Sequence, residues 1–287
     1  MGRIAFVTDS TAGIPADLVK KYNITVVPLQ VIFGTEMFRD GIDLTQDEFF
    51  ERLKAAKTLP TTSQPSVGDF EEAYKPLVDD PGVDSIISVH LSTALSGTHN
   101  AASQAAERFK AEGGKKISVV DTQTVYMAEG MMVLDGVREA EQGKSHDEIV
   151  SNIEKTKHNA KILVLVDTLE YLQKGGRIGG AQAFLGGLLN VKPILHVEGG
   201  RVEPLERVRT RRKAMERLVE LGVEGAKGRP CRICIGHAQA PDDARTLAGM
   251  VREKMNVVEE YSSDLGPVIS THTGPGVLGF VYFPKEG

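Results

Sequence analysis

SIISVHLSTALSGTHN, residues 85–100, runs from an apolar segment into Ser, Thr, Ser and Gly and then into a run rich in small residues. Ser85 to Leu91 has the branched apolar content of a strand. Ser96 to Ala111 reads as a helix closed by Gly113-Gly114. A strand feeding straight into a helix is the repeating unit of a sheet covered by helices, and the first half of the chain repeats it. RIAFVTD (3–9), ITVVPLQVIF (24–33) and KISVVD (116–121) read as strands. IPADLVKKY, VGDFEEAYKPLV and TVYMAEGMMVLDGVREAEQ read as helices. So does LTQDEFFERLKAA, where Thr45 and Glu48 have the spacing of a capping box. This alternation predicts a mainly parallel sheet with helices on both faces.

The second half has another rhythm. KILVLVD (161–167) is a strand, and KPILHVEGGRVEPLERV (192–208) is two strands around Gly199-Gly200, a hairpin signal. CRICIGHA, VVEEYSS and VLGFVYF are strands; RRKAMERLVELGV and PDDARTLAGMVREKM are helices. Hairpins mixed with helices predict an α+β domain with a mixed sheet. The expected fold is therefore α/β with two domains, residues 1–160 and 161–287, and a ligand site between them.

Composition narrows the function. The chain has 287 residues and a formal net charge of -5, so bulk electrostatics do not favour nucleic acid. No apolar run reaches the length of a membrane span. MGRIAFVTDS enters a strand-like run without the apolar region of a secretory signal, so a cytoplasmic location is expected. The two cysteines, Cys231 and Cys234, have C-x-x-C spacing, but residues three apart on a strand point to opposite faces. With no second pair to complete a zinc site, they read as structural.

Four segments carry chemistry. In an open parallel sheet, ligands bind beyond the carboxyl ends of strands, where Ser92, Thr93 and Ser96 fall. With Ser96 as N-cap, the Gly97 and Thr98 amides lack helical partners and suit a carboxylate or phosphate; the alternative is a capped helix with nothing bound. TTSQPS (61–66) is a second hydroxyl cluster, which taken alone reads more readily as a plain turn. In STHTGPGVLG (270–279), His272 is either a tunable ligand contact or a structural histidine at a strand end. In YLQKGGRIGGAQAFLGGLLN (171–190), Arg177 offers a planar fork of donors for an oxyanion. The apolar stretch after it, with Ile178, Phe184, Leu185, Leu188 and Leu189, is either core or the wall of an elongated pocket.

VTDSTAGIP (7–15), TSQPS, HLSTALSGT, VVDT, KGGRI, KPIL and THTG follow one another along the whole chain. That ordered set resembles the DegV family of bacterial fatty acid-binding proteins, which serve a fatty acid kinase. The resemblance implies two α/β-type domains with a lipid between them. It implies that Thr62 and Ser96, with the Gly97 amide, hold the fatty acid carboxylate, with His272 and Arg177 close by. It also implies that the protein is not itself an enzyme and uses no cofactor. It would present the carboxylate to a separate ATP-dependent kinase for acyl-phosphate formation. An acyltransferase of phospholipid synthesis, or the membrane surface, would follow as a further partner. His272 is then the residue expected to orient the head group for phosphoryl transfer. Ala often precedes that histidine in the family; here it is Thr271. The basic run RVEPLERVRTRRK (201–213), with Arg207, Arg209, Arg211 and Arg212, matches the family's docking region; a solvated charged face is the alternative.

The physics fits such a ligand. Each buried methylene contributes about 0.8 kcal/mol, so a long chain brings roughly 10 kcal/mol before association costs. A buried carboxylate needs several donors in compensation. Rival readings are fewer in support. A serine hydrolase built on Ser96 and His272 lacks G-x-S-x-G and a placed acid. A sugar-phosphate or nucleotide binder needs a polar wall that Ile178 to Leu189 does not offer. A DNA-binding regulator rests on the basic run alone.

Overall fold

A computed structural model describes residues 2–187 and 191–285. In chain order its elements are β1 (Arg3–Asp9), α1 (Ala16–Lys21), β2 (Thr25–Val27), β3 (Gln30–Phe33), β4 (Glu36–Arg39), α2 (Gln46–Ala55), β5 (Thr61–Ser63) and α3 (Val67–Asp79). Next come β6 (Val83–His90), α4 (Thr98–Ala111), β7 (Lys116–Asp121), α5 (Met127–Glu141), α6 (His146–Thr156), β8 (Lys161–Leu165) and α7 (Glu170–Lys174). A 3-10 segment (Gly179–Gly187) leads to β9 (Lys192–Glu198), β10 (Arg201–Val208), α8 (Arg211–Ala226), β11 (Cys231–His237), α9 (Pro241–Lys254), β12 (Val257–Asp264), α10 (Gly266–Thr273) and β13 (Leu278–Pro284).

Among the described residues these strands form three sheets. The order β2-β1-β6-β7 is fully parallel. The order β10-β9-β8-β13-β11-β12 is mixed, antiparallel except for β11 with β12. A small antiparallel sheet, β4-β3-β5, completes the set. The fold is α/β, with a parallel N-terminal region and a mixed C-terminal one.

Capping sets several helix starts. Thr45 and Glu48 make the expected capping box on α2, and Ser66 with Asp69 and Ser145 with Glu148 do the same on α3 and α6. α3 and α4 cover one face of the parallel sheet, burying Phe70, Tyr74, Ala101 and Ala105. α5 is buried nearly all round, through Met127, Met131, Met132 and Leu134, because it lies between the parallel sheet and β13. α8 and α9 bury the far face of the mixed sheet with Leu163, Ile233 and Phe280. No helix among the described residues is long and apolar enough to cross a membrane.

Three local expectations change. Residues 24–33 are two strands in different sheets, because Pro28 lacks an N–H for the ladder and lets the chain turn off. Within TTSQPS, residues 61–63 are a strand rather than turn. THTG ends helix α10 and is not at a strand end. The cysteines lie on opposite faces of β11, Cys231 in the α8–α9 core and Cys234 in the main core, both buried and unbonded to each other.

Candidate functional site

The site begins at the carboxyl ends of β1 and β6. Asp9, the last residue of β1, is fully buried. Its Oδ1 accepts from the Thr11 amide at 3.0 Å and the Thr11 hydroxyl at 2.5 Å; its Oδ2 accepts from the Leu91 amide at 3.2 Å and lies 3.0 Å from His90 Nδ1. Burial raises its pKa, but the His90, Thr11 and Leu91 contacts outweigh that and the net shift is downward. One carboxylate thus ties the turn after β1 to the end of β6. Both Thr11 and Leu91 face a cavity of about 530 Å³.

Four of the expected residues, Thr62, Ser96, Arg177 and His272, line that cavity together. They come from β5, the turn before α4, the turn after α7 and the last turn of α10. Thr62 Oγ1 and His272 Nε2 are hydrogen-bonded at 2.8 Å, across 210 positions of sequence. Burial first, and the Arg177 guanidinium second, push the His272 imidazole down to about 4. It is therefore neutral at pH 7 with a single N–H. Its Nδ1 is buried and has no hydrogen-bond partner among the described residues.

Arg177 donates from Nε to the Leu95 carbonyl at 3.0 Å and from Nη1 to the Gly175 carbonyl at 2.8 Å, which fixes the plane of its fork. Gly175 also makes room for the histidine. A β carbon there would stand 2.3 Å from His272 Nδ1 and 2.9 Å from the Tyr171 carbonyl. Gly175 is thus required by a close approach, while its neighbour Gly176, at φ 71°, serves the turn.

Ser96 is not the N-cap of α4; Gly97 is. The Ser96 hydroxyl still accepts from the Thr98 amide at 3.3 Å and bonds the Thr98 hydroxyl at 2.8 Å. Gly97 stands behind the cavity wall, and a β carbon on it would fall 2.1 Å from Gln64 Oε1. Gln64 therefore lies across Gly97 and itself lines the cavity, a contact that the TTSQPS cluster pointed to only as a group.

The apolar walls come from Leu29, Leu91, Leu95, Val125, Leu172, Val202, Val268 and Ile269. Behind them is a second, smaller void of about 70 Å³ that shares Val125, Leu172, Val202, Ile269 and Thr273 with the first. Sequence reasoning missed these residues, which are spread over six elements and turns. Ile178, Phe184 and Leu185 are half-buried against the main core and line neither space; Leu188 and Leu189 lie outside the described residues. No Asp or Glu lines the cavity among the described residues, and Ser96 and His272 are bonded to threonines rather than to each other. A nucleophile–base–acid relay is not what this geometry builds.

In the basic run, Arg211 pairs with Asp167 and Asp243, and Arg212 with Glu216. Arg207 stacks on Phe184, 4.4 Å from the ring centre, and donates to the Ala183 carbonyl. Arg209 is exposed and has no ion pair among the described residues.

The model of the DegV family, described as uncharacterised proteins, matches residues 3–285. The chain belongs to the DegV family. It is 42% identical to a DegV domain-containing protein of Streptomyces coelicolor over 279 residues, 97% of each chain. A DegV family protein from Thermus thermophilus, whose structure is described as one of fatty acid binding, superposes with a TM-score of 0.93 at 38% identity, covering 99% of this chain and 100% of the other. DegV of Bacillus subtilis, described as a fatty acid binding protein, gives 0.89 at 37% identity with the same coverage. In this DegV chain, Thr62, Ser96, Arg177 and His272, from four separate segments, line one cavity.

Proposed function

We propose that this DegV protein binds a long-chain fatty acid, with the carboxylate at Thr62, Ser96, Arg177 and His272 and the acyl chain along the apolar walls. The observation that carries the reading is the split character of one cavity. The Thr62 hydroxyl, the His272 imidazole and the Arg177 guanidinium stand together, and eight aliphatic side chains, Leu29 to Ile269, line the same cavity. Such a site compensates a buried charge while burying a tail. Fatty acid binding described for the Thermus and Bacillus proteins supports it.

The same reading assigns a carrier role. The carboxylate would be offered to a separate ATP-dependent kinase, and the acyl phosphate passed on toward phospholipid synthesis. Two things support this: the ordered motifs, and the absence of an acid–base relay among the described residues around the cavity. The exposed Arg207 and Arg209 carry positive charge for an acidic partner surface. Arg211 and Arg212 are already in ion pairs and add less.

Native mass spectrometry of the purified protein, followed by extraction and lipid analysis, tests the reading. A fatty acid mass near one per chain is the expected result; an empty protein that also refuses added palmitate and oleate overturns it. Thr62→Ala with Ser96→Ala is expected to weaken fatty acid affinity about tenfold, two hydroxyl contacts being removed, with the melting temperature little changed. Unchanged lipid retention would remove the head group from these residues. Gly175→Ala, which drives His272 from its seat, is expected to weaken binding by a similar factor of about ten in the same assay.

A further inference from the structure

The central strand of the mixed sheet carries a glycine that packing alone does not explain. β13 is paired on both sides, with β8 and β11, and its residues alternate between two cores. Leu278, Phe280 and Tyr282 face α8 and α9; Val277, Val281 and Phe283 face the main core. Gly279 falls on the main-core face by this alternation. A glycine inside a strand weakens it and leaves nothing to pack, so it marks a bulge, a strained turn or a close approach.

None of these applies. The pairing of β13 is regular, with Gly279 opposite Gly236 on β11 and Val164 on β8. Its φ is not in the left-handed region. A β carbon on it would meet only Leu265 Cδ2 at 3.6 Å and the Gly236 carbonyl at 4.0 Å, both ordinary contacts. The glycine across the ladder behaves differently. A β carbon on Gly236 would stand 2.3 Å from Tyr126 Oη, so Gly236 makes room for a side chain of the protein itself. Gly279 makes room for none. What lies over it is the void of about 70 Å³, walled by Ile162, Val164, Leu195 and Val277 and sharing Ile269 and Thr273 with the larger cavity.

We infer that Gly279 is the floor of the acyl site, the position that sets the longest chain the protein accepts. The inference rests on the fatty acid reading and goes beyond it by naming which residue limits the tail. Chain methylenes that pass Val125 and Ile269 enter a space with apolar surface only, and the missing side chain on β13 decides how far they run. A side chain at 279 takes up that space without disturbing the pairing of β13, because its backbone is already in ordinary strand geometry.

The test is a titration of lauric, myristic, palmitic and stearic acids against the wild type, Gly279→Ala and Gly279→Val. In the wild type each added methylene strengthens binding by about fourfold until the floor is reached. In Gly279→Val the gain stops at a shorter acid. Stearic acid is expected to lose about tenfold or more, while lauric acid changes by less than about twofold. Gly279→Ala lies between. An equal loss at every length, or no loss at any, overturns the inference and leaves the fatty acid reading standing. If Gly279→Val does not fold, Gly279→Ala decides, since one methyl group meets only ordinary contacts. A wild type that binds none of the four acids overturns the fatty acid reading, and this inference with it.

Discussion

Arg177→Met is expected to weaken fatty acid binding by about a hundredfold, the loss of roughly 3 kcal/mol that follows when a buried charge loses its partner. Arg177 is the only residue with a permanent positive charge among the described residues lining the cavity. His272 does not share the role at neutral pH, because burial and Arg177 itself hold its imidazole down to about 4. On the proposed reading, a bound carboxylate would be balanced by one guanidinium, with hydroxyls and a neutral imidazole as dipoles around it. Two of the guanidinium nitrogens are fixed on the Leu95 and Gly175 carbonyls, so the fork is oriented before a ligand arrives. Arg177→Lys keeps the charge but loses that fixed plane, and is expected to bind between the wild type and Arg177→Met. Displacement of a fluorescent fatty acid measures all three, with thermal melts to show that each is folded. Equal affinity in Arg177→Met and the wild type would move the head group elsewhere in the cavity.

The four residues proposed to hold the head group stand out in the sequence because each sits in a short polar cluster bounded by Gly or Pro. Thr62, Ser96, Arg177 and His272 all come to one cavity. The tail walls were not legible. Leu29, Val125, Leu172, Val202 and Val268 look like any core residue in sequence, and only the pairing of distant elements leaves them facing a space. The strand–helix alternation gave the parallel sheet for the same local reason that it failed at 24–33. Periodicity reports an extended chain but not which sheet it joins, and β3 pairs with neighbouring β4 on one side and with β5, about thirty residues on, on the other.

Helix α10 shows the limit more sharply. Its sequence GPVISTHT contains Val268, Ile269, Thr271 and Thr273, β-branched residues with poor helix propensity. A free helix of this length is not stable in water. Its start is instead held from the N-terminal half of the chain. Asp40 Oδ1 accepts from the Val268 amide at 3.2 Å, and Gln46 Oε1 from the Gly266 amide at 3.1 Å. Thr271 and Thr273 return their hydroxyls to the Pro267 and Ile269 carbonyls. His272 thus reaches Thr62 because two side chains more than 200 positions away cap its helix, a dependence that no local pattern carries.

That cap is costly, and the cost predicts a pH effect. Asp40 is 5% exposed and, among the described residues, receives only the Ser10 hydroxyl at 2.7 Å and the Val268 amide, with the charge of Asp9 also acting on it. Burial dominates, and its carboxyl is pushed up to about 6 from an ordinary 3.8. A raised acid binds more protons folded than unfolded between those two values, so its share of stability is present below about 4 and lost as pH rises through 6. At pH 7.5 ionised Asp40 costs on the order of 3 kcal/mol by that shift. Asp40→Asn keeps an acceptor for Val268 and removes the charge, but spoils the bond from Ser10. A net stabilisation of about 1–2 kcal/mol at pH 7.5 is expected, with a melting point raised by a few degrees. At pH 4, where the wild-type carboxyl is protonated, the gain should be gone. Burial also pushes Glu129 and Asp135 upward, but they are common to both proteins and drop out of the difference between them. Denaturant unfolding of the pair at pH 4, 5, 6 and 7.5 measures it. A difference that does not change with pH, or an Asn variant that is less stable than the wild type at 7.5, would mean that Asp40 is accommodated as a charge by something other than Ser10 and the helix start.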